Sequence, residues 1–224
     1  MSSYQSLHET FFRINNSAGD ENLIFQGAVK IYGIDRETTT EGQFINYKLL
    51  LTVPRGIMRV NNHNPAITSR IAVVLKSPNL TEYGYSLSAG DSYTISGNIN
   101  ADESGNQIFE LNPLLARRHM PVICPFLFNR MIVEGRGSIQ EVFSVSKDDH
   151  SAPAYSEFNI NILTPDAVSV LNLTVIVKTA DVPEELKSQY AVGDIVKFRG
   201  YLSRGDGSQR PLVVEVISHA AVRL

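Results

Sequence analysis

Apolar and polar residues alternate in short runs along most of this chain, and Gly, Asp, Asn and Pro punctuate the runs. A period of two marks a strand with one buried face. Residues 23–34, 44–53, 71–76, 89–97 and 107–111 are therefore expected to be five strands. In the second of these, Tyr47, Leu49 and Leu51 share one face, while Lys48 and Leu50 lie on the other. Residues 35–42 are expected as a hairpin loop, 54–68 as a long polar loop, 77–88 as a connector and 100–106 as a turn. Strand phase puts Tyr47, Tyr93, Phe109, Phe158 and Phe198 in the core.

The second half repeats this order with strands at 131–145, 158–163, 173–178, 192–200 and 212–217. Ala89-Gly90-Asp91 opens a strand that closes at Gly97, and Val192-Gly193-Asp194 opens one that closes at Gly200. Gly accepts the positive φ of a tight turn, and Asp bonds the backbone just after itself. Gly135 stands where Gly27 stands in the first half, and a glycine inside a strand marks a bulge or sharp coil. Matching 173–178 to 71–76 puts Lys178 in the place of Lys76, and the places of Lys197 and Arg199 are held by Thr94 and Ser96. Residues 181–190 are expected as a short helix, with Asp181 as its cap and Pro183, Glu184 and Glu185 in its first turn. Matched strands and turns in one shared order imply an internal duplication, a pair of domains rather than a solenoid. The expected division is an arm at 1–22, a barrel at 23–112, a bridge at 113–130 and a second barrel at 131–224. The arm is either a disordered leader or a segment that docks through Phe11 and Phe12.

A coiled first strand, a hairpin, a third strand, a helix and a closing pair of strands describe a small Greek-key barrel. The frame from Val192-Gly193-Asp194 to Gly200 resembles the fourth-strand entry of the oligonucleotide-binding (OB) fold. The resemblance is one of pattern and covers both halves. It implies an all-β protein with short helices, two tandem five-stranded OB-like Greek-key barrels, and single-stranded nucleic acid as partner. A viral or mobile-element protein with two barrels fits the same pattern. Bacterial single-strand-binding proteins are similar to one another in an acidic tail. This chain ends in Ala221-Val222-Arg223-Leu224, so recruitment of partners by such a tail is not expected. The alternative fold is another antiparallel sandwich.

Composition narrows the chemistry. A net charge of -3 over 224 residues argues against a polycation that coats duplexes, but it leaves room for local basic faces. The lone Cys124 forms no intrachain disulfide and is read as a buried thiol. No apolar run reaches the roughly 20 residues of a membrane helix, and the polar start lacks a signal-peptide core. A soluble cytoplasmic or nucleoid-associated protein is expected, not a secreted one. His8, His63, His119, His150 and His219 are scattered, and Asp148-Asp149-His150 reads as a solvated loop. No phosphate loop follows a strand, so neither catalysis nor a metal or other cofactor is expected.

What remains is a binding surface. Lys30 and Tyr32 alternate outward on the first strand, and Lys197, Arg199 and Tyr201 share a face of the ninth. Lys76 and Lys178 add charge, as do Arg55 and Arg59 in the long loop. Between Leu111 and Val133 there is no acid, while Arg117, Arg118, His119 and Arg130 interleave with Phe126 and Phe128. This bridge either carries a strand from barrel to barrel or packs between them. Phosphate neutralisation by these cations and stacking on Tyr32, Tyr201 and Tyr83 or Tyr85 give low-specificity single-strand binding, of DNA before RNA. Replication, repair or recombination is the expected setting, with replication or recombination proteins and further copies of the chain as candidate companions. The other reading is an adaptor whose barrels hold protein partners.

Overall fold

In the computed structural model of the protein, eleven strands form one hydrogen-bonded sheet that rolls up twice. The structure describes residues 23–40, 42–52, 70–81, 84–102, 106–119, 129–145, 155–163, 170–178, 191–204 and 212–222. The first half contains β1 (Ile24–Thr39), β2 (Gly42–Thr52), β3 (Arg70–Pro78), β4 (Ser92–Ala101) and β5 (Gln107–Leu111). A 3-10 turn at Pro113–Leu115 and a short β6 (Arg117–His119) follow. The second half contains β7 (Arg130–Val145), β8 (Tyr155–Leu163), β9 (Val170–Lys178), β10 (Ile195–Arg204) and β11 (Leu212–Val222).

Each half closes on itself. In the first, β1 pairs with β2, β2 with β3, β3 with β5, β5 with β4 and β4 with β1, and only β3–β5 is parallel. In the second, β7, β8, β9, β11 and β10 close in the same way, with β9–β11 parallel. This is the expected pair of five-stranded OB-like barrels. Inward positions are apolar in both: Phe25, Ile31, Tyr47, Leu75 and Ile95 in the first, Met131, Ile139, Leu173, Phe198 and Val214 in the second. Phe25 and Phe109 meet at 5.8 Å with ring planes tilted by 59°, a favoured aromatic geometry. Burying one such side chain contributes about 1.5–3 kcal/mol. Tyr47, Tyr93, Phe109 and Phe198 are buried as strand phase requires, while the side chain of Phe158 lies outside the described residues.

The pairing map aligns the halves strand by strand. Ile31 faces Leu49, which faces Val73; Ile139 faces Ile160, which faces Leu173. Gly97 faces Phe25 as Gly200 faces Val133. This alignment corrects one expected match: β9 slips by two residues, so Lys76 corresponds to Ile176 and Lys178 to Pro78. A two-residue slip keeps every side chain on its face, so alternation cannot detect it.

Other boundaries also move. Residues 35–39 and 42–43 are not loop but a ribbon extending β1 and β2. Its polar composition suggests a loop because no core covers that stretch. Cross-strand bonds hold it instead, from Asn46 Nδ2 to Glu37 at 2.8 Å and from Lys48 to Asp35 at 2.6 Å. β4 likewise runs on to Ala101, and Asp102 accepts the Asn106 N–H at 2.7 Å to turn the chain. The connector after β3 holds one bridge, Leu80–Tyr85. The expected helix at 181–190 and the arm at 1–22 lie outside the described residues.

The halves are joined edge to edge. The start of β1 pairs antiparallel with the start of β7, from Ile24 opposite Glu134 to Ala28 opposite Arg130. Both cores lie beneath this seam and merge into one apolar cluster. Leu23, just before β1, reaches across it, so that a Cβ added at Gly135 would lie 2.5 Å from Leu23 Cδ1. The segment expected as a bridge begins as part of the first barrel. β6 pairs with β4 where, in the second barrel, the uninterrupted β11 pairs with β10.

Candidate nucleic-acid interface

Both Gly-Asp turns perform the same structural task. Gly90 and Gly193 take φ of 88° and 93°. The Gly90 N–H donates to the Ile31 carbonyl and the Ile31 N–H to the Asp91 carbonyl, both at 2.9 Å. Gly193, Ile139 and Asp194 repeat this clasp at 2.8 Å. Immediately after the clasped residue each first strand bulges, at Tyr32 in β1 and at Gln140 in β7. A bulge re-aims its side chain. Tyr32 is turned out to 76% exposure, the largest among the exposed apolar side chains described.

The ring stands over a cleft of about 440 Å³. Lys30 from β1, Leu50 and Thr52 from β2, Arg70 from the start of β3 and Asn129 line it with Tyr32. Lys30 and Arg70 are exposed. They share the outer side because β1 and β2 alternate and because Thr52 faces Arg70. Asn129 knits the floor. It adopts φ of 57°, its N–H donates to the Ala28 carbonyl at 2.8 Å, and its carbonyl accepts from Thr52 N–H at 2.6 Å. Its side-chain Oδ1 accepts the Lys30 N–H at 2.8 Å. Asn tolerates this left-handed conformation better than most residues.

The expected site residues separate into groups. Lys30 and Tyr32 stand together at the cleft. Arg117 is exposed on β6 beside Thr94. Arg118 lies 2.8 Å from the Asp91 carboxylate and so neutralises the acid of the turn that borders the cleft. Lys76 sits 4.1 Å over the Phe44 ring on the outer side of β3. Across the seam, Arg130 lies 5.4 Å over the ring of Tyr201. Lys197, Arg199 and Tyr201 share one face of β10 as expected, with Val196, Phe198 and Gly200 buried between them. That face is electrostatically mixed. Lys197 is 3.8 Å from Glu134, and Arg199 is half-buried opposite the same residue. Lys178 ends β9 opposite Tyr155. Arg55, Arg59, Tyr83, Phe126 and Phe128 lie outside the described residues, and Tyr85 is partly exposed on the connector.

Sequence reasoning missed Arg70 and Asn129. Arg70 is a single cation at the first position of β3, and only the β2–β3 register brings it to Tyr32. Asn129 has a signal only in retrospect, as a turn-prone residue just before a strand. Beneath the surface, Tyr47 OH accepts the Leu87 N–H at 3.3 Å. Burial pushes its phenol above the ordinary value, the Leu87 bond opposes this, and nearby Tyr93 adds to the rise. Among the described residues no three His, Cys, Asp or Glu gather as a metal site, and no helix is long and apolar enough to cross a membrane.

No protein-family model and no curated protein matches the chain. Solved structures do. The wild-type single-stranded DNA binding protein from Thermus aquaticus superposes with a TM-score of 0.59 at 12% identity, covering 91% of this chain and 93% of that one. A deletion mutant of it gives 0.58 at 12% identity, covering 91% and 95%. The likeness runs across both barrels and is one of fold.

Proposed function

We propose that this protein binds single-stranded nucleic acid, DNA in the first instance, with little sequence preference, and acts by holding the strand rather than by catalysis. The observation that carries this reading is the cleft on the first barrel, where the exposed Tyr32 ring stands with Lys30 and Arg70. A base stacks on the ring while its flanking phosphates meet the two cations. Arg117 on β6 and the Arg130–Tyr201 pair at the seam extend the track. Arg55, Arg59, Lys76, Lys178, Lys197 and Arg199 serve as outlying phosphate contacts in this reading. Residues 23–112 and 131–224 are the two domains in this reading, with 113–130 linking them in sequence. The role suits replication, repair or recombination, in the cytoplasm or on the nucleoid, beside partner proteins of those processes.

One observation favours the other reading, a protein-holding adaptor. Lys48, Arg118 and Lys197 each have a carboxylate within ion-pair distance, so part of the cationic charge is already answered. A labelled oligothymidylate of about 30 nucleotides, titrated at two salt concentrations, decides between them. Saturable binding that weakens with salt supports the strand-binding reading, and its absence leaves the adaptor.

A further inference from the structure

We infer, on the strand-binding reading above, that each chain carries one strand-binding groove and not two: the groove belongs to the first barrel, and the same place on the second barrel is blank. The pairing map identifies that place residue by residue. Where the first barrel has Lys30 and the bulged Tyr32, the second has Ser138 and the bulged Gln140. These two are bonded to each other, Gln140 Nε2 donating to Ser138 Oγ at 2.8 Å. Where Gly33 follows the bulge, the second barrel has Glu141, which is exposed. Arg70, opposite Thr52, is matched by Val170 opposite Leu163. Arg117 and Arg118 of β6 are matched by Ala220 and Ala221 of β11.

Each change removes a means of holding a strand. Phosphate affinity comes from cations that displace counterions, and Lys30, Arg70 and Arg117 give way to uncharged residues, as does Arg118, the partner of Asp91. Stacking needs a ring, and the ring becomes an amide already engaged with its neighbour. A carboxylate beside the bulge repels the backbone. The clasp that produces the bulge is preserved in both halves, so the difference lies in side chains and not in scaffold. Among the described residues, the cations of the second barrel stand at other positions: Lys197 and Arg199 on β10 toward the seam, where Lys197 approaches Glu134 at 3.8 Å and Arg199 faces it, Arg136 on β7 opposite Lys197, in the place of Ala28, and Lys178 and Arg204 at the ends of β9 and β10. The second barrel therefore supports the first through the seam, and the footprint is that of one OB barrel, about 4–16 nucleotides.

Calorimetric titration of the full chain with an oligothymidylate of about 8 nucleotides tests this. The expected stoichiometry is one oligonucleotide per chain. Lys30→Ser combined with Tyr32→Gln should weaken binding about tenfold or more. Ser138→Ala combined with Gln140→Ala should leave it within about twofold, since neither group meets the strand. Thermal melting of both variants checks that each folds. Two oligonucleotides per chain, comparable losses from both double variants, or binding that survives the first-barrel change would overturn the single-groove inference alone. No binding by the parent protein would overturn the strand-binding reading itself.

Discussion

Tyr32 owes its position to backbone geometry rather than to any partner. The clasp on Ile31 and the bulge after it turn the ring outward, so removing the ring should cost binding and little stability. Tyr32→Ala should weaken oligonucleotide affinity by about 1–3 kcal/mol, read by fluorescence anisotropy, with an unchanged melting temperature. Tyr32→Phe should keep most of the affinity, because stacking uses the face and not the hydroxyl. Tyr47 is the opposite case, a ring in the core whose hydroxyl accepts a buried N–H. Its folded-state pKa lies above the unfolded value of about 10. The folded state thus holds the phenolic proton more tightly, and this contribution is full below pH 10 and lost as pH rises through the folded value. Alkaline melts of Tyr47→Phe should show a shallower fall above pH 10 than the parent. At neutral pH the variant should be less stable by about 1–3 kcal/mol, because the Leu87 N–H loses its acceptor. Alternation alone made both roles legible, Tyr32 outward and Tyr47 inward. The partnership of Tyr32 with Arg70 was not legible, because it depends on strand register.

At the scale of elements, the two Gly-Asp frames were the strongest signal in the chain, and the structure explains them. Their first glycine makes the turn. Their last, Gly97 or Gly200, lies so close to the carbonyl of Glu110 or Glu215 on the next strand that a Cβ would collide with it. The bulge was harder to place. Gly27 and Gly135 suggested it, but Gly27 instead admits the Arg130 backbone at the seam, and the bulges fall at Tyr32 and Gln140. The ribbon at 35–39 and 42–43 is hidden for a similar reason, since strands solvated on both faces lose the pattern that announces them. Arg118 and Asp91 give an element-level prediction. With Arg118 removed, the Asp91 carboxylate, on the turn that borders the groove, keeps the Tyr93 hydroxyl as a donor at 3.5 Å but loses its cation. Arg118→Ala should weaken strand binding several-fold, and adding Asp91→Asn should recover most of the loss. A purely phosphate-contacting Arg118 would show no such recovery, so a double-mutant cycle in the binding constant separates the two.

For the whole molecule, fold class and the shared strand order were legible because each barrel repeats local cues in one order. The seam was not, since nothing in an alternating strand says which edge meets which. One apolar cluster spanning that seam predicts one cooperative unfolding transition rather than two, with calorimetric and van't Hoff enthalpies in agreement. Gly27→Val, which drives a side chain into the Arg130 carbonyl, should split or broaden the transition. Binding should also report the scale of the groove. If Lys30, Arg70 and Arg117 each neutralise one phosphate and the outlying cations none, log K should fall against log salt with a slope of about −2. A slope twice as steep would mean that a second basic face takes part.

Joining β1 to β7 within one polypeptide has a consequence for how the protein behaves when scarce. Two separate barrels meeting along such an edge would come apart below their dissociation constant, and their shape would depend on how many copies were present. Here the contact is tethered, so dilution cannot undo it. A single molecule is already assembled, however few others are present.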